Sequence, residues 1–185
     1  KNAGALVYVD GVHLSPHHLP DPKSVGADFF VCSAYKFYGP HVGVLWGRHP
    51  LLSSLDVPKL EPAPDTAPER LETGTQNHEG IIGAAAAVRW IAGLGGGEGN
   101  LRSQLVRSYD LLHRRERELF AQLWEGLGQI PGVRRFGLGP GRPRTATVAF
   151  TLDGHSSEAV TRSLAGAGCF VSHGDFYAST VAQRL

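Results

Sequence analysis

Three short apolar runs separated by turn residues open the chain: residues 5–9 ending at Asp10, residues 29–32, and residues 42–46 after the break at Gly39-Pro40. Short apolar runs bounded by loops, with no helical spacing, predict buried strands of an α/β sheet. A Pro-rich loop covers residues 15–22, and four prolines between residues 56 and 68 predict an extended loop. Helical spacing then takes over. Asn77 is a ready N-cap for a helix through Ile81, Ile82, the alanines at 84–87, Val88 and Ile91, stopped by Gly93 and the glycines at 95–97. Its small residues predict close packing. Leu101, Leu105, Tyr109, Leu112, Leu119, Leu123 and Leu127 recur at intervals of three, four or seven, which predicts a longer helix starting near Glu98.

Beyond Pro131 the pattern shortens again: a strand at 133–136, a Gly/Pro loop at 137–143, a strand at 145–152, a helix at 156–165 and a strand at 169–172. This is the pattern of a compact α+β unit. The expected division is an α/β portion at 1–97, a connecting long helix at 98–128 and a small α+β domain at 129–185. No internal repeat is visible.

Composition narrows the picture. With 185 residues, 42% hydrophobic and 19% charged, the chain is long enough to bury a core. Eighteen Lys+Arg against 17 Asp+Glu leave a net charge of +1, so no overall field draws it to nucleic acid or to an anionic membrane, and neither is an expected partner. The five arginines between residues 102 and 117 read as a solvated helix face paired locally with Asp110, Glu116 and Glu118. No apolar run approaches the roughly 18 residues of a membrane span, and no secretory-signal pattern is read at its start. Two cysteines, Cys32 and Cys169, cannot build a disulfide framework; both fall in apolar runs and are expected in the core, and a reducing cytoplasm is the expected location. The chain holds no Met, begins at Lys1 and reaches an apolar β pattern by residue 5, so it is expected to be part of a longer polypeptide.

Several residues carry candidate chemistry. Asp10 closes a predicted strand, and sites in open α/β sheets gather at such carboxyl ends, although an aspartate before Gly11 is also an ordinary turn residue. Lys36 follows an apolar strand among aromatic residues, where a desolvated amine of lowered pKa is at home; the same position suits a lysine whose stem covers apolar surface while its head stays in water. Gly74-Thr75 precedes the Asn77 helix start, where a hydroxyl and free N–H groups can meet a phosphate or simply form a helix entry. His13, His17 and His18 invite a metal reading, but Pro16 prevents the helix that would set His13 and His17 on one face, so no metal is expected.

The order and spacing of these residues add a further reading. Asp10-Gly-Val-His13, Pro16-His17, Asp28-Phe29, Ser33-Ala-Tyr-Lys36-Phe-Tyr-Gly39-Pro40, Gly43-Val-Leu-Trp-Gly47 and Glu72-Thr-Gly74-Thr75-Gln-Asn77 resemble the class V aminotransferase family, in its cysteine desulfurase-like branch. The resemblance covers nearly the whole chain and is most specific from 10 to 47. It implies an α/β enzyme of the fold type I architecture that uses pyridoxal 5'-phosphate (PLP). This chain would be part of the large PLP-binding domain plus an incomplete small C-terminal domain, with a small amino acid as substrate and a homodimeric assembly. By position, it implies Lys36 as the Schiff-base lysine, Asp10 as the partner of the pyridine nitrogen and His13 as a residue near the ring hydroxyl. Ser33 and Tyr35 fall at phosphate-binding positions, Tyr35 where many relatives have His, and Thr75 matches a threonine that reaches the phosphate of a neighbouring subunit.

One departure matters. Ser172 and Tyr177 stand where cysteine desulfurases carry an arginine and a persulfide-bearing cysteine, and a phenol cannot hold a persulfide. Three readings follow: a desulfurase-like or C–S lyase-like PLP enzyme, a true class V aminotransferase passing an amino group to a keto acid, or a catalytically incomplete fragment that serves as an interaction or folding module.

Overall fold

A computed structural model describes residues 3–184. The chain divides into two compact units, Lys1–Arg114 and Arg115–Leu185. In the first, β1 (Tyr8–Asp10) pairs in parallel with β2 (Phe29–Ser33), with Tyr8 opposite Phe29 and Asp10 opposite Val31. Strand β2 also pairs antiparallel with β3 (Gly43–Gly47), from Phe29 opposite Gly47 to Ser33 opposite Gly43, so the sheet order is β1-β2-β3. Of these strands only Phe30 is fully buried. Tyr8, Val44 and Leu45 are exposed, because β1 and β3 have no further strand beside them among the described residues. The strands are therefore less buried than their composition predicts.

A short helix α1 (His49–Ser54) follows the sheet, with Pro50 in its first turn where a missing N–H costs nothing. The Pro-rich stretch is irregular up to a 3-10 turn at Glu69–Leu71. Helix α2 (His78–Leu94) begins as its sequence predicts: Asn77 Oδ1 accepts the Gly80 N–H at 2.9 Å. Its small residues Ala84 and Ala87, with Ile91, pack against Phe37, Leu105 and Tyr109 to form the core of the unit.

The junction to α3 (Leu101–Gly128) is a polar clip inside that core. The Ser108 hydroxyl is fully buried, donates to the Ala92 carbonyl at 3.0 Å and accepts the Gly95 N–H at 2.9 Å, so no group is left unsatisfied. A Cβ on Gly95 would lie 2.6 Å from the Ser108 backbone nitrogen. Helix α3 starts three residues after Glu98, because Arg107 and Gln104 hold the carbonyls of Gly96, Glu98 and Gly99 in the preceding loop.

In the second unit, β4 (Val133–Phe136) pairs antiparallel with β5 (Ala149–Leu152). Phe120 is its one fully buried apolar residue among those described; the Arg144 guanidinium lies 4.2 Å from its ring and Arg135 lies 4.8 Å from Trp124. Arg144 also donates to the Thr145 and Thr147 carbonyls, which takes them out of a ladder and explains why β5 is shorter than the predicted strand from 145. Helix α4 (Ser157–Gly166) is capped by Ser156, whose Oγ accepts the Ala159 N–H at 3.2 Å. The predicted strand at 169–172 does not form. The Cys169 N–H closes α4 on the Leu164 carbonyl, and the residues after it are exposed and irregular up to α5 (Ser179–Ala182). An apolar run without a partner strand has nothing to pair with, and Cys169 is exposed rather than in a core.

Gly95→Ala is expected to destabilise the first unit by about 1–3 kcal/mol through overpacking. Gly93→Ala, with nothing within 4 Å of the added carbon, should instead stabilise it by up to about 1 kcal/mol. Urea unfolding measures both; midpoints that move together would contradict the packing of α2 on α3.

Candidate functional site

Because β1 and β2 are parallel, their carboxyl ends share one edge of the sheet, with Asp10 ending β1 and Ser33 ending β2. The next four residues form a 3-10 turn, Ala34–Phe37. Residues three apart eclipse in such a turn, so Ala34 and Phe37 go to the core together and leave Tyr35 and Lys36 exposed. Lys36 is therefore open to water rather than sealed from it. Its Nζ makes no hydrogen bond or ion pair with any described residue and lies 5.0 Å from the centre of the Tyr35 ring.

Asp10 is also exposed, and its Oδ1 accepts the Val12 N–H at 2.9 Å, a bond that turns the chain sharply out of β1. Glycine is required next: a Cβ at Gly11 would lie 2.1 Å from the ring of Phe30. The turn that follows is anchored by Ser15, whose hydroxyl donates to the Gly11 carbonyl at 2.7 Å and whose carbonyl accepts the Tyr109 O–H at 2.7 Å. Here the histidines pair ring to ring, His13 with His17 at 5.1 Å and His18 with His113 at 4.4 Å, while a ring nitrogen of His113 meets the His17 carbonyl. Among the described residues no group of three or more His, Cys, Asp or Glu is arranged to hold a metal ion.

Partial desolvation pushes the pKa of His13 below its ordinary 6.5, and the charges of His17 and Lys36 push it further the same way. His13, His17 and Lys36 thus act on one another across the end of the sheet. Cys32, half-buried in β2, is pushed the other way: burial raises its pKa, and a hydrogen bond with Ser15 only partly offsets this, so it stays a thiol at neutral pH.

The structure thus brings Asp10, His13, Ser33, Tyr35 and Lys36 to one sheet end. Thr75 lies elsewhere, on an exposed turn after Gly74 and two residues before the Asn77 cap. Sequence reasoning missed His41, whose ring stacks on Tyr35 at 4.8 Å with planes 14° apart. No motif in the sequence marks it; it lies two residues before β3, after the Gly39-Pro40 break. A cavity of about 870 Å³ in the same unit is lined by Cys32, Phe37, Val44, Ala84 and Val88 among others, and Asp10, His13, Ser33 and Lys36 are not in its wall.

A sequence model of the Aminotransferase class-V family matches residues 1–185. The chain belongs to that family. A probable cysteine desulfurase from Xylella fastidiosa is 32% identical over 175 residues, which cover 87% of this chain and 38% of that protein. A cysteine desulfurase from Klebsiella pneumoniae is 32% identical over 194 residues, 98% of this chain and 44% of its own. Among solved structures, the cysteine desulfurase CsdA of Escherichia coli aligns with a TM-score of 0.75 at 27% identity, and that of Thermococcus onnurineus with 0.76 at 25%. Each alignment covers 94% of this chain and 42% or 43% of the structure. The chain therefore carries part of the α/β fold of this class V family, spanning about two fifths of these relatives.

The depressed His13 pKa gives a testable sign. Its folded value lies below its unfolded one, so the folded state favours the neutral ring, and stability from this group is present above pH 6.5 and lost as the pH falls below it. By NMR titration, His13 is expected below 6.5, and Lys36→Gln should move it up while leaving the desolvation part in place. A His13 value unmoved by Lys36→Gln would place the two groups apart.

Proposed function

We propose that this chain is part of a PLP-dependent, cysteine desulfurase-like or C–S lyase-like enzyme acting on a small amino acid. The observation that carries the reading is Lys36, an amine with no acid partner among the described residues, on the turn after β2 and beside the parallel strand that ends in Asp10. The donor set fits the cofactor: a carboxylate with Oδ2 unengaged for a ring nitrogen, an amine for an aldehyde, and two hydroxyls for a phosphate. When bound, PLP supplies an electron sink for negative charge at the α-carbon of an amino acid.

Each residue then has a role. Lys36 would hold the cofactor covalently, and its amine when free would serve as the base for the α-proton. Asp10 would keep a proton on the ring nitrogen by direct charge attraction. Ser33 and Tyr35 would donate hydroxyl hydrogen bonds to the phosphate, and Thr75 would do so towards a second copy in a homodimer. His13, its pKa lowered by burial and by the charges of His17 and Lys36, would lie near the ring hydroxyl without adding a second cation. Two free cysteines fit a cytoplasmic setting.

Borohydride treatment of the protein with PLP should fix the cofactor to Lys36, with no label in Lys36→Ala. A reducible adduct that survives Lys36→Ala would overturn the assignment.

Tyr177 supports a lyase-like outcome over persulfide transfer. It is fully exposed, φ 66°, on the irregular stretch after Cys169. Cys32 is a half-buried thiol of raised pKa, a poor sulfur acceptor. Incubation with cysteine is expected to give pyruvate, ammonia and free sulfide, with no added sulfur on either cysteine by mass spectrometry. A one-sulfur gain on Cys169, lost with turnover in Cys169→Ser, would restore ordinary desulfurase chemistry. Keto-acid-dependent turnover with no product from cysteine would favour the aminotransferase reading.

A further inference from the structure

The β2–β3 ladder runs from Phe29–Gly47 to Ser33–Gly43, and one further bond, from the Ala34 N–H to the Val42 carbonyl at 2.8 Å, ties the chain just beyond it. Tyr35 then lies in the 3-10 turn Ala34–Phe37 and His41 lies two residues before β3, so the two limbs leave the ladder side by side. Here the Tyr35 and His41 rings stack at 4.8 Å, and the Lys36 Nζ lies 5.0 Å from the centre of the Tyr35 ring.

The loop between Tyr35 and His41 is closed tightly. The Gly39 N–H donates to the Ala34 carbonyl and the Val42 N–H to the Pro40 carbonyl, both at 2.8 Å, around an Ala34 that is wholly buried. A side chain at Gly39 would lie 2.9 Å from the Ala34 Cβ, so the two limbs of the loop approach as closely as they can. The backbones of residues 35 and 41 are thereby fixed, while both side chains are exposed to water. Among the described residues neither ring makes a hydrogen bond, so the stack and, for Tyr35, the nearby Lys36 amine are the contacts that orient them.

Resting on the assignment of Lys36 and Tyr35 to the cofactor, we infer that His41 is a positioning residue for both: its ring fixes the plane of Tyr35, and that plane sets where the phenol O–H and the Lys36 amine point. An exposed phenol otherwise samples several rotamers. An ordered one donates to a phosphate oxygen without first losing that freedom, and it gives the Lys36 cation a fixed aromatic face.

His41→Ala and His41→Phe separate stacking from imidazole chemistry, and because His41 is exposed neither change empties a core. The first measurement needs no cofactor: the NMR shifts of the Lys36 ε-methylene protons, which the Tyr35 ring current displaces. They are expected to move towards those of an unstacked lysine in His41→Ala and to stay near the wild-type position in His41→Phe. The second is a PLP titration with borohydride trapping, where His41→Ala should weaken binding about 3- to 10-fold and His41→Phe by less than about 2-fold. Unchanged Lys36 shifts in His41→Ala would overturn the inference, as would a His41→Phe variant as impaired as His41→Ala. Failure of the unsubstituted protein to carry PLP on Lys36 would refute the cofactor assignment instead, and the Lys36 shifts would still decide the stack.

Discussion

The carboxylate of Asp28 holds the amino end of the sheet together, and the geometry at the opposite end depends on it. Asp28 is 2% exposed. It accepts the Val7 N–H and the Arg48 Nη1–H, each at 2.9 Å, while its own N–H donates to the Val7 carbonyl and its carbonyl accepts the Arg48 N–H. One residue thus joins the entry to β1, the entry to β2 and the exit from β3. A buried carboxylate stripped of such partners costs several kcal/mol, whereas each hydrogen bond to a charged group returns about 1.5–3 kcal/mol. With parallel strands, fixing the starts of β1 and β2 fixes their ends, so the relative positions of Asp10 and Ser33 are set at the far end of the sheet.

The second constraint is the hairpin register. Ala34 enters the core with Phe37, against the small face of α2, and that single choice turns Tyr35 and Lys36 outward. Larger residues in place of Ala84 or Ala87 would hold α2 away from Phe37 and loosen the turn that carries the lysine. Helix packing and site geometry are therefore one problem in this unit. The Ser108 clip matters for the same reason, since it holds α2 and α3 in the pairing that presses Tyr109 against Ser15 beneath the His13 turn.

Much of this was legible in the sequence because it is local. Asn77 and Ser156 cap the helices they precede, the spacing from Leu101 to Leu127 gives the long helix, and Asp10 and Lys36 fall at strand ends. The misreadings are non-local. Residues 169–172 are apolar enough for a strand, but strand formation needs a partner, and composition does not report whether one is present. Cys169 was assigned to a core on the same grounds and is exposed for the same reason. The shortened start of β5 follows from Arg144 taking two carbonyls, a contact that no periodicity encodes. His41 carries no motif, because its contact with Tyr35 is made by the fold of the loop between β2 and β3.

The charges at the sheet end set what the site favours. Among the described residues Lys36 makes no ion pair, and its cation already disfavours a proton on His13, as does His17. Adding another positive charge there is unfavourable, while an anionic group relieves the repulsion among all three. The balance runs in both directions, because an anion held near Lys36 also makes protonation of His13 easier, so occupancy by anion and by proton are linked. Under the proposed reading, a phosphate-bearing ligand would relieve that repulsion. The pairing of β1 with β2 and the period of the turn after β2 gather these groups at one end of the sheet while leaving each of them in reach of water.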